Sequence, residues 1–157
     1  MSSAAPFLTL DLPGPDATDR LGRALAATLR AGDVLLLEGP IGAGKSHLSR
    51  ALIRARLGRE EDVPSPTFTL IQTYDATPDI WHADLYRLTH PDEVVELGLE
   101  EAFDQAICLI EWPDRLGSLR PAKVLTLRFT LTEDGAARKL SFFGPADWAD
   151  RLTGLTP

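Results

Sequence analysis

A glycine-rich octet constrains the fold of this chain more than any other feature. The octet, Gly39-Pro40-Ile41-Gly42-Ala43-Gly44-Lys45-Ser46, follows the apolar run Val34-Leu35-Leu36-Leu37 after a single residue. Such a run is typical of a strand buried on both faces of a parallel sheet. After the octet, Leu48, Leu52 and Ala55 recur at helical spacing. A strand, a glycine loop and a helix in this order predict a P-loop, which binds phosphate.

The chemistry of a P-loop assigns a role to most residues of the octet. Inward-pointing backbone N–H groups hold phosphate oxygens where glycines permit unusual dihedrals and a close approach. We expect Lys45 to reach the β- and γ-phosphates and to assist catalysis, and Ser46 to bind Mg²⁺. In a later loop, Thr67 is either a γ-phosphate sensor or part of an ordinary turn. The predicted nucleotide-binding residues are Gly39, Ile41, Gly42, Ala43, Gly44, Lys45, Ser46, His47 and Thr67.

Two carboxylates are candidates for the metal site and for catalysis. Glu111 ends a second apolar run, 106–110, and Asp84 lies in the segment His82-Ala83-Asp84-Leu85-Tyr86-Arg87. Mg²⁺ prefers carboxylate oxygens, and ligands bind at the carboxyl ends of parallel strands. Either residue could equally be a solvated acid at a strand end, and the sequence leaves open which one contacts the metal directly. Trp112, next to Glu111, is interpreted as a packing residue or as a cover for the site.

The remaining pattern predicts an α/β fold. We predict one P-loop NTPase domain over 1–157, with a mixed, mostly parallel sheet flanked by helices and a C-terminal β-hairpin. The predicted strands besides those around the octet and Glu111 are Phe7–Leu12, Phe68–Tyr74, Asp79–Leu88, Lys123–Leu131 and Lys139–Phe143, and the predicted helices besides the P-loop helix are Thr18–Arg30 and Pro91–Gln105. Phe68–Tyr74 and Asp79–Leu88 are expected to form a hairpin, and Lys139–Phe143 is expected to close the chain.

Composition restricts the class of partner. The net charge of −7 argues against autonomous binding to a nucleic-acid backbone, because such domains usually present a large positive surface. Basic residues at Arg115, Arg120 and Lys123 are interpreted as solvated charges. Cys108 lies inside an apolar strand and His82 is isolated in sequence, so we expect no zinc site. No secretory signal or apolar stretch of membrane-spanning length occurs, which predicts a cytoplasmic protein without a membrane partner.

Five ordered motifs resemble one bacterial family, TsaE, also called YjeE. They are Gly39–Ser46, Ser65–Leu70, His82–Leu88, Glu96–Leu99 and Ile110–Pro113. The resemblance runs from about Leu8 to Leu131. This family is the ATPase component of the machinery that makes N6-threonylcarbamoyladenosine at position 37 of tRNAs reading ANN codons.

The resemblance implies ATP and Mg²⁺ as cofactors and the proteins TsaB and TsaD as partners. TsaD would transfer the threonylcarbamoyl group, this chain would support turnover, and tRNA would be contacted only through the complex. Ser46 and Glu111 would hold Mg²⁺, Asp84 would belong to the same network, and Thr67 would lie in a switch-like loop. Adenine would rest near Pro13 to Thr18. The chain departs from many relatives at Ser46, where Thr is common, and at Pro40-Ile41, where an acidic-apolar pair is common.

Other functions of a P-loop protein fit the sequence less well. A small-molecule kinase commonly closes a lid that brings arginines over the phosphates. The segment between Leu57 and Thr67, where such a lid would lie, contains a single arginine, Arg59. A GTPase would need an Asn-Lys-x-Asp element to read guanine, and the chain has none. A nucleotide-gated binding module, in which the bound state is the signal, overlaps with the ATPase hypothesis and stays open.

Overall fold

A mixed sheet of seven strands forms the centre of the computed structural model, which describes residues 5–40, 42–58, 63, 70–88, 90, 92–135 and 137–157. The strand order is β1-β7-β6-β2-β5-β4-β3. Because β2 is parallel to β5 and β6, and β4 is parallel to β5, only β3 and β7 run against the rest. The strands are β1 (Leu8–Leu12), β2 (Val34–Glu38), β3 (Ile71–Tyr74), β4 (Ile80–Asp84), β5 (Ile107–Glu111), β6 (Leu125–Leu131) and β7 (Arg138–Phe143).

Helices cover both faces of this sheet. They are α1 (Pro15–Ala26), α2 (Lys45–Leu57), α3 (Asp92–Glu96), α4 (Leu99–Gln105) and α5 (Ala146–Arg151), with a 3₁₀ segment at Pro113–Leu119. Leu35 and Leu37 of β2 pack with α1, α2 and α5, whereas Val34 and Leu36 face α3 and α4. The predicted α/β class, the mixed sheet and the C-terminal hairpin of β6 and β7 are therefore confirmed.

The first helix lies three to four residues earlier than its pattern predicts. It begins at Pro15 after Gly14, because proline at the first helical position needs no N–H partner and already has a helical φ. It ends at Ala26, where the Arg56 guanidinium of α2 binds the carbonyls of Ala26 at 2.9 Å and Leu29 at 3.0 Å. No Asp or Thr side chain therefore caps the start of this helix, and its C-cap residue is Ala27.

Other element boundaries also differ from the sequence-based prediction. The fourth strand ends at Asp84 rather than Leu88, because the Asp84 carboxylate accepts the Tyr86 N–H at 3.1 Å and turns the chain. The acidic helix is divided in two at Gly98, whose φ of 79° is left-handed. The chain does not close with Lys139–Phe143, since α5 follows it. The third strand begins at Ile71; residues 68 and 69 lie outside the described residues.

Among the helices that the structure describes, none combines the length and the apolar character needed to cross a membrane.

Helices α1 and α2 meet at Gly22, where there is no room for a methyl group. A Cβ at Gly22 would lie 2.6 Å from the Ala51 Cβ and 3.1 Å from the Leu52 nitrogen. We expect Gly22→Ala to destabilise the protein by about 1–3 kcal/mol in urea unfolding, although alanine favours a helix by about 1 kcal/mol over glycine. The double variant Gly22→Ala/Ala51→Gly removes the shortest contact, that with the Ala51 Cβ, and should recover part of the lost stability. A single variant as stable as the wild type would contradict this packing.

Candidate functional site

The glycine loop connects β2 to α2 in a conformation that requires glycine at two positions. Gly39 has a φ of 142°, and a Cβ there would lie 2.9 Å from the Phe129 carbonyl oxygen of β6. Gly44 has a φ of 110° and directly precedes α2. The loop is therefore pressed against the sheet at one end and opens onto a helix N-terminus at the other, which attracts anions.

Lys45 is the first residue of α2 and its side chain lies inside the site. Only 5% of it is exposed, its Nζ donates to the Gly39 carbonyl at 2.6 Å, and the same atom lies 3.7 Å from the Trp112 ring centroid. Burial lowers the pKa of Lys45, and the negative charges of Glu111, Asp84 and Asp114 oppose that shift. Among the described residues no carboxylate forms an ion pair with this desolvated cation, which favours an anionic ligand.

Glu111 ends β5 and is the centre of the polar contacts at this edge. Its carboxylate is almost fully buried and accepts the Ser46 hydroxyl at 3.0 Å to Oε1 and 3.1 Å to Oε2. His82 Nε2 lies 2.7 Å from Oε2. An ionised carboxylate only accepts hydrogen bonds, so this contact with an ionised Glu111 requires the His82 tautomer that carries its proton on Nε2. His82, although isolated in sequence, therefore contacts a carboxylate of the candidate site.

Asp84 lies beside Glu111 because their strands are parallel and in register. The Cα atoms of the two residues are direct partners across β4 and β5. Desolvation raises the pKa of Asp84, the Tyr86 backbone N–H lowers it, and the Glu111 charge raises it again. Two carboxylates and a serine hydroxyl thus meet near a buried lysine, and these hard oxygens are the ligands that Mg²⁺ prefers.

A cavity of about 700 Å³ extends from these groups to the end of β1. Its polar end is formed by the glycine loop and the two carboxylates. Its other wall is formed by Leu12, Pro13, Gly14, Pro15 and Thr18, and Arg138 of β7 borders it as well. The segment expected to hold adenine therefore lines the same cavity as the residues expected to hold phosphate.

Most of the predicted site residues meet at this cavity. Gly42, Gly44, Lys45, Ser46, His47, Asp84 and Glu111 line it. The Gly39 carbonyl accepts the hydrogen bond of Lys45, and Ala43 is a buried residue of the loop. His47 is hydrogen-bonded to Asp19 of α1 at 2.8 Å. Ile41 and Thr67 lie outside the described residues, and their predicted contacts stay predictions.

Three residues of the site have a larger role than the sequence indicated. Trp112 has a left-handed φ of 59°, packs on the Tyr86 ring at 4.8 Å between centroids and covers Lys45. His82 contacts Glu111, and strand alternation could have found it, because it lies on the same face of β4 as Asp84. No local signal marks Arg138, which reaches the loop from the C-terminal hairpin.

Comparisons with known proteins give consistent matches. The family model described as "Threonylcarbamoyl adenosine biosynthesis protein TsaE" matches residues 12–140. The TsaE protein of Rickettsia bellii is 40% identical to this chain over 125 residues, which are 78% of this chain and 86% of that protein. The TsaE protein of Bacillus subtilis is 38% identical over 115 residues, which are 72% of this chain and 71% of that protein. The crystal structure of Bacillus subtilis YdiB is similar with a TM-score of 0.77 and 29% identity, covering 93% of this chain and 90% of that one. The matched range of the family model contains the loop, both carboxylates and Arg138.

Proposed function

The chain belongs to the TsaE family of threonylcarbamoyl adenosine biosynthesis proteins, and we propose on that premise that it is the Mg²⁺-dependent ATPase that supports this modification of tRNA. The convergence of Ser46, Glu111 and the buried Lys45 at the mouth of the glycine loop is the observation that carries the proposal. A hydroxyl, a carboxylate and a desolvated ammonium are the groups that hold a metal-bound triphosphate.

The chain's own residues would bind and orient the triphosphate. Loop N–H groups and the start of α2 would hold its phosphate oxygens. Lys45 would leave the Gly39 carbonyl and the Trp112 ring to pair with the β- and γ-phosphates, which offer it full negative charges. The carboxylates of Glu111 and Asp84 would orient the attacking water. Trp112 and Tyr86 would limit access of bulk water to the site.

The oxygen atoms around Ser46 fit a magnesium ion. Neighbouring ligands of an octahedral Mg²⁺ lie about 3 Å apart when each bond is about 2.1 Å long. The Ser46 hydroxyl is 3.0 Å and 3.1 Å from the two Glu111 oxygens, so these groups already have that spacing. Within the described residues no three His, Cys, Asp or Glu side chains form a metal cluster, and a Mg²⁺ site completed by phosphates needs only one or two carboxylates. The bound ion would neutralise charge on the phosphates.

The proposed nucleotide is ATP, the proposed partners are TsaB and TsaD, and tRNA would be reached only through them. The absence of a guanine-reading element supports adenine, and the net charge of −7 supports a protein that acts on partner proteins rather than gripping tRNA. A cytoplasmic site of action is part of this proposal.

The proposal is tested by measuring ATP and GTP hydrolysis by the purified chain, alone and with TsaB and TsaD. We expect slow hydrolysis of ATP alone, faster hydrolysis with both partners, and much weaker binding of GTP. A brisk rate that the partners leave unchanged would contradict the role in the complex. Equal affinities for ATP and GTP would contradict the assignment as an ATPase.

His82 should orient Glu111 for this reaction. Replacement by leucine removes the hydrogen bond, whereas glutamine places an amide donor near the position of Nε2. Loss of such a supporting contact typically costs about 10- to 100-fold in activity, so we expect His82→Leu to lower the hydrolysis rate by that factor and His82→Gln to lower it less. Both variants should lose similar amounts of stability, because His82 is completely buried. Equal activity losses in the two variants would indicate a purely structural role.

A further inference from the structure

Arg138 reaches the glycine loop from the first position of β7. Its Nε donates to the Ala43 carbonyl at 3.1 Å, and its Nη2 donates to the Gly42 carbonyl at 3.1 Å. Strand pairing holds the Arg138 backbone between Leu12 of β1 and Leu131 of β6. The backbone of Arg138 is therefore fixed in the sheet, and its guanidinium donates hydrogen bonds to two successive carbonyls of the loop.

These two hydrogen bonds determine how the peptide groups of the loop are oriented. In a trans peptide the C=O and the following N–H point in opposite directions. The Ala43 carbonyl is held towards Arg138, so the Gly44 N–H points away from Arg138. Backbone N–H groups of a P-loop hold phosphate. The neighbouring peptide is also held at both ends, because the Ala43 N–H donates to the Pro40 carbonyl at 3.1 Å.

Arg138 differs from other arginines of the fold in the groups that it contacts. Other arginines of the sheet edge and of α5 pair with acids: Arg120 and Arg128 with Glu38, and Arg151 with Asp33. In the part of the chain that the structure describes, Arg138 forms no such ion pair. Hydrogen bonds from a charged donor are stronger than neutral ones, and this positive charge also borders the cavity.

We propose that Arg138 is a positioning residue of the nucleotide site, which holds the Gly42 and Ala43 carbonyls so that the loop is preorganised for the β-phosphate. This inference rests on the proposed binding of ATP. The planar fork of arginine contacts both carbonyls at once, whereas the single ammonium of lysine does not match that geometry. The C-terminal hairpin is thereby a functional part of the phosphate site.

The test compares Arg138→Gln and Arg138→Lys with Lys139→Gln, which removes one positive charge from the next, exposed position of the same strand. Affinities for ADP and AMP are measured by competition with a fluorescent adenine nucleotide, and melting temperatures are measured without nucleotide. We expect Arg138→Gln to weaken ADP binding by about 10- to 100-fold, because charge-assisted hydrogen bonds to the loop are lost. We expect AMP binding to change little. Arg138→Lys should be intermediate, and Lys139→Gln should bind as the wild type does.

Several outcomes would overturn the inference. If Arg138→Gln does not fold, the folded Arg138→Lys variant must still show a loss of ADP affinity greater than its loss of AMP affinity. Unchanged ADP binding in a folded Arg138 variant, or equal losses for ADP and AMP, would contradict a role in preorganising the loop while leaving the proposed function intact. A wild-type protein that binds neither nucleotide would overturn the proposed function and this inference together.

Discussion

Replacing Lys45 by alanine is expected to weaken ATP binding by about 100-fold and to lower hydrolysis at saturating ATP by a further factor of roughly 100 to 1,000. The first effect follows because Lys45 is a nearly buried cation, and a charged hydrogen bond to phosphate would be lost. The second follows because charge develops on the phosphate oxygens during transfer and would no longer be stabilised. Calorimetric titration with ATP and single-turnover hydrolysis measure the two effects separately.

The matched control is Lys123→Ala, which removes a lysine from an exposed position before β6. It should bind and hydrolyse ATP as the wild type does. The Lys45 variant should stay folded, because within the described part of the chain the close contacts of its Nζ are limited to the Gly39 carbonyl and the Trp112 ring. Hydrolysis at the wild-type rate by Lys45→Ala would show that the site has been assigned to the wrong residues.

Replacing Glu111 by glutamine should lower ATP hydrolysis by roughly 100- to 1,000-fold, with a much smaller change in the melting temperature of the nucleotide-free protein. The change keeps the size of the side chain and removes the charge that would hold Mg²⁺ and orient water. An amide oxygen can still accept the hydrogen bond from His82. Affinity for ATP should also depend less on Mg²⁺ in this variant, which titrations with Mg²⁺ and with EDTA would reveal.

The comparison that decides between the two carboxylates is Glu111→Gln against Asp84→Asn, assayed with TsaB and TsaD present. Both side chains lie at the same edge of the sheet, but only Glu111 contacts Ser46 directly. We therefore expect the larger loss of Mg²⁺ dependence at Glu111. Normal turnover by a folded Glu111→Gln variant would remove Glu111 from the catalytic set and leave Asp84 as the candidate.

The parts of the site that could be predicted from sequence are those whose geometry is local or follows from a parallel sheet. The β2–loop–α2 unit is contiguous, so its spacing alone identifies it. Asp84 and Glu111 come together because both lie at the carboxyl ends of neighbouring parallel strands, which is a general site for ligands. The central strands and the class of the fold could be predicted from two fully apolar runs, because strands of a parallel sheet are buried on both faces.

The rest depends on contacts that leave no local pattern. Arg138 and Ala43 are 95 residues apart, and a strand arginine that binds carbonyls looks like any solvated charge in the sequence. The end of α1 is set by Arg56 from another helix, and the end of β4 by the side chain of Asp84 itself. The left-handed backbone of Trp112, which carries its ring over Lys45, is unusual outside glycine and asparagine and has no sequence signature.

The position of β2 in the sheet has a consequence for the order in which the protein is completed during synthesis. This strand carries the glycine loop, yet both of its neighbours, Ile107–Glu111 and Leu125–Leu131, are made much later. Pairing between such distant segments is slow, because a long loop must close before any contact forms. A growing chain therefore exposes its glycine loop without the strands that hold it, and a nucleotide could stabilise only the finished sheet.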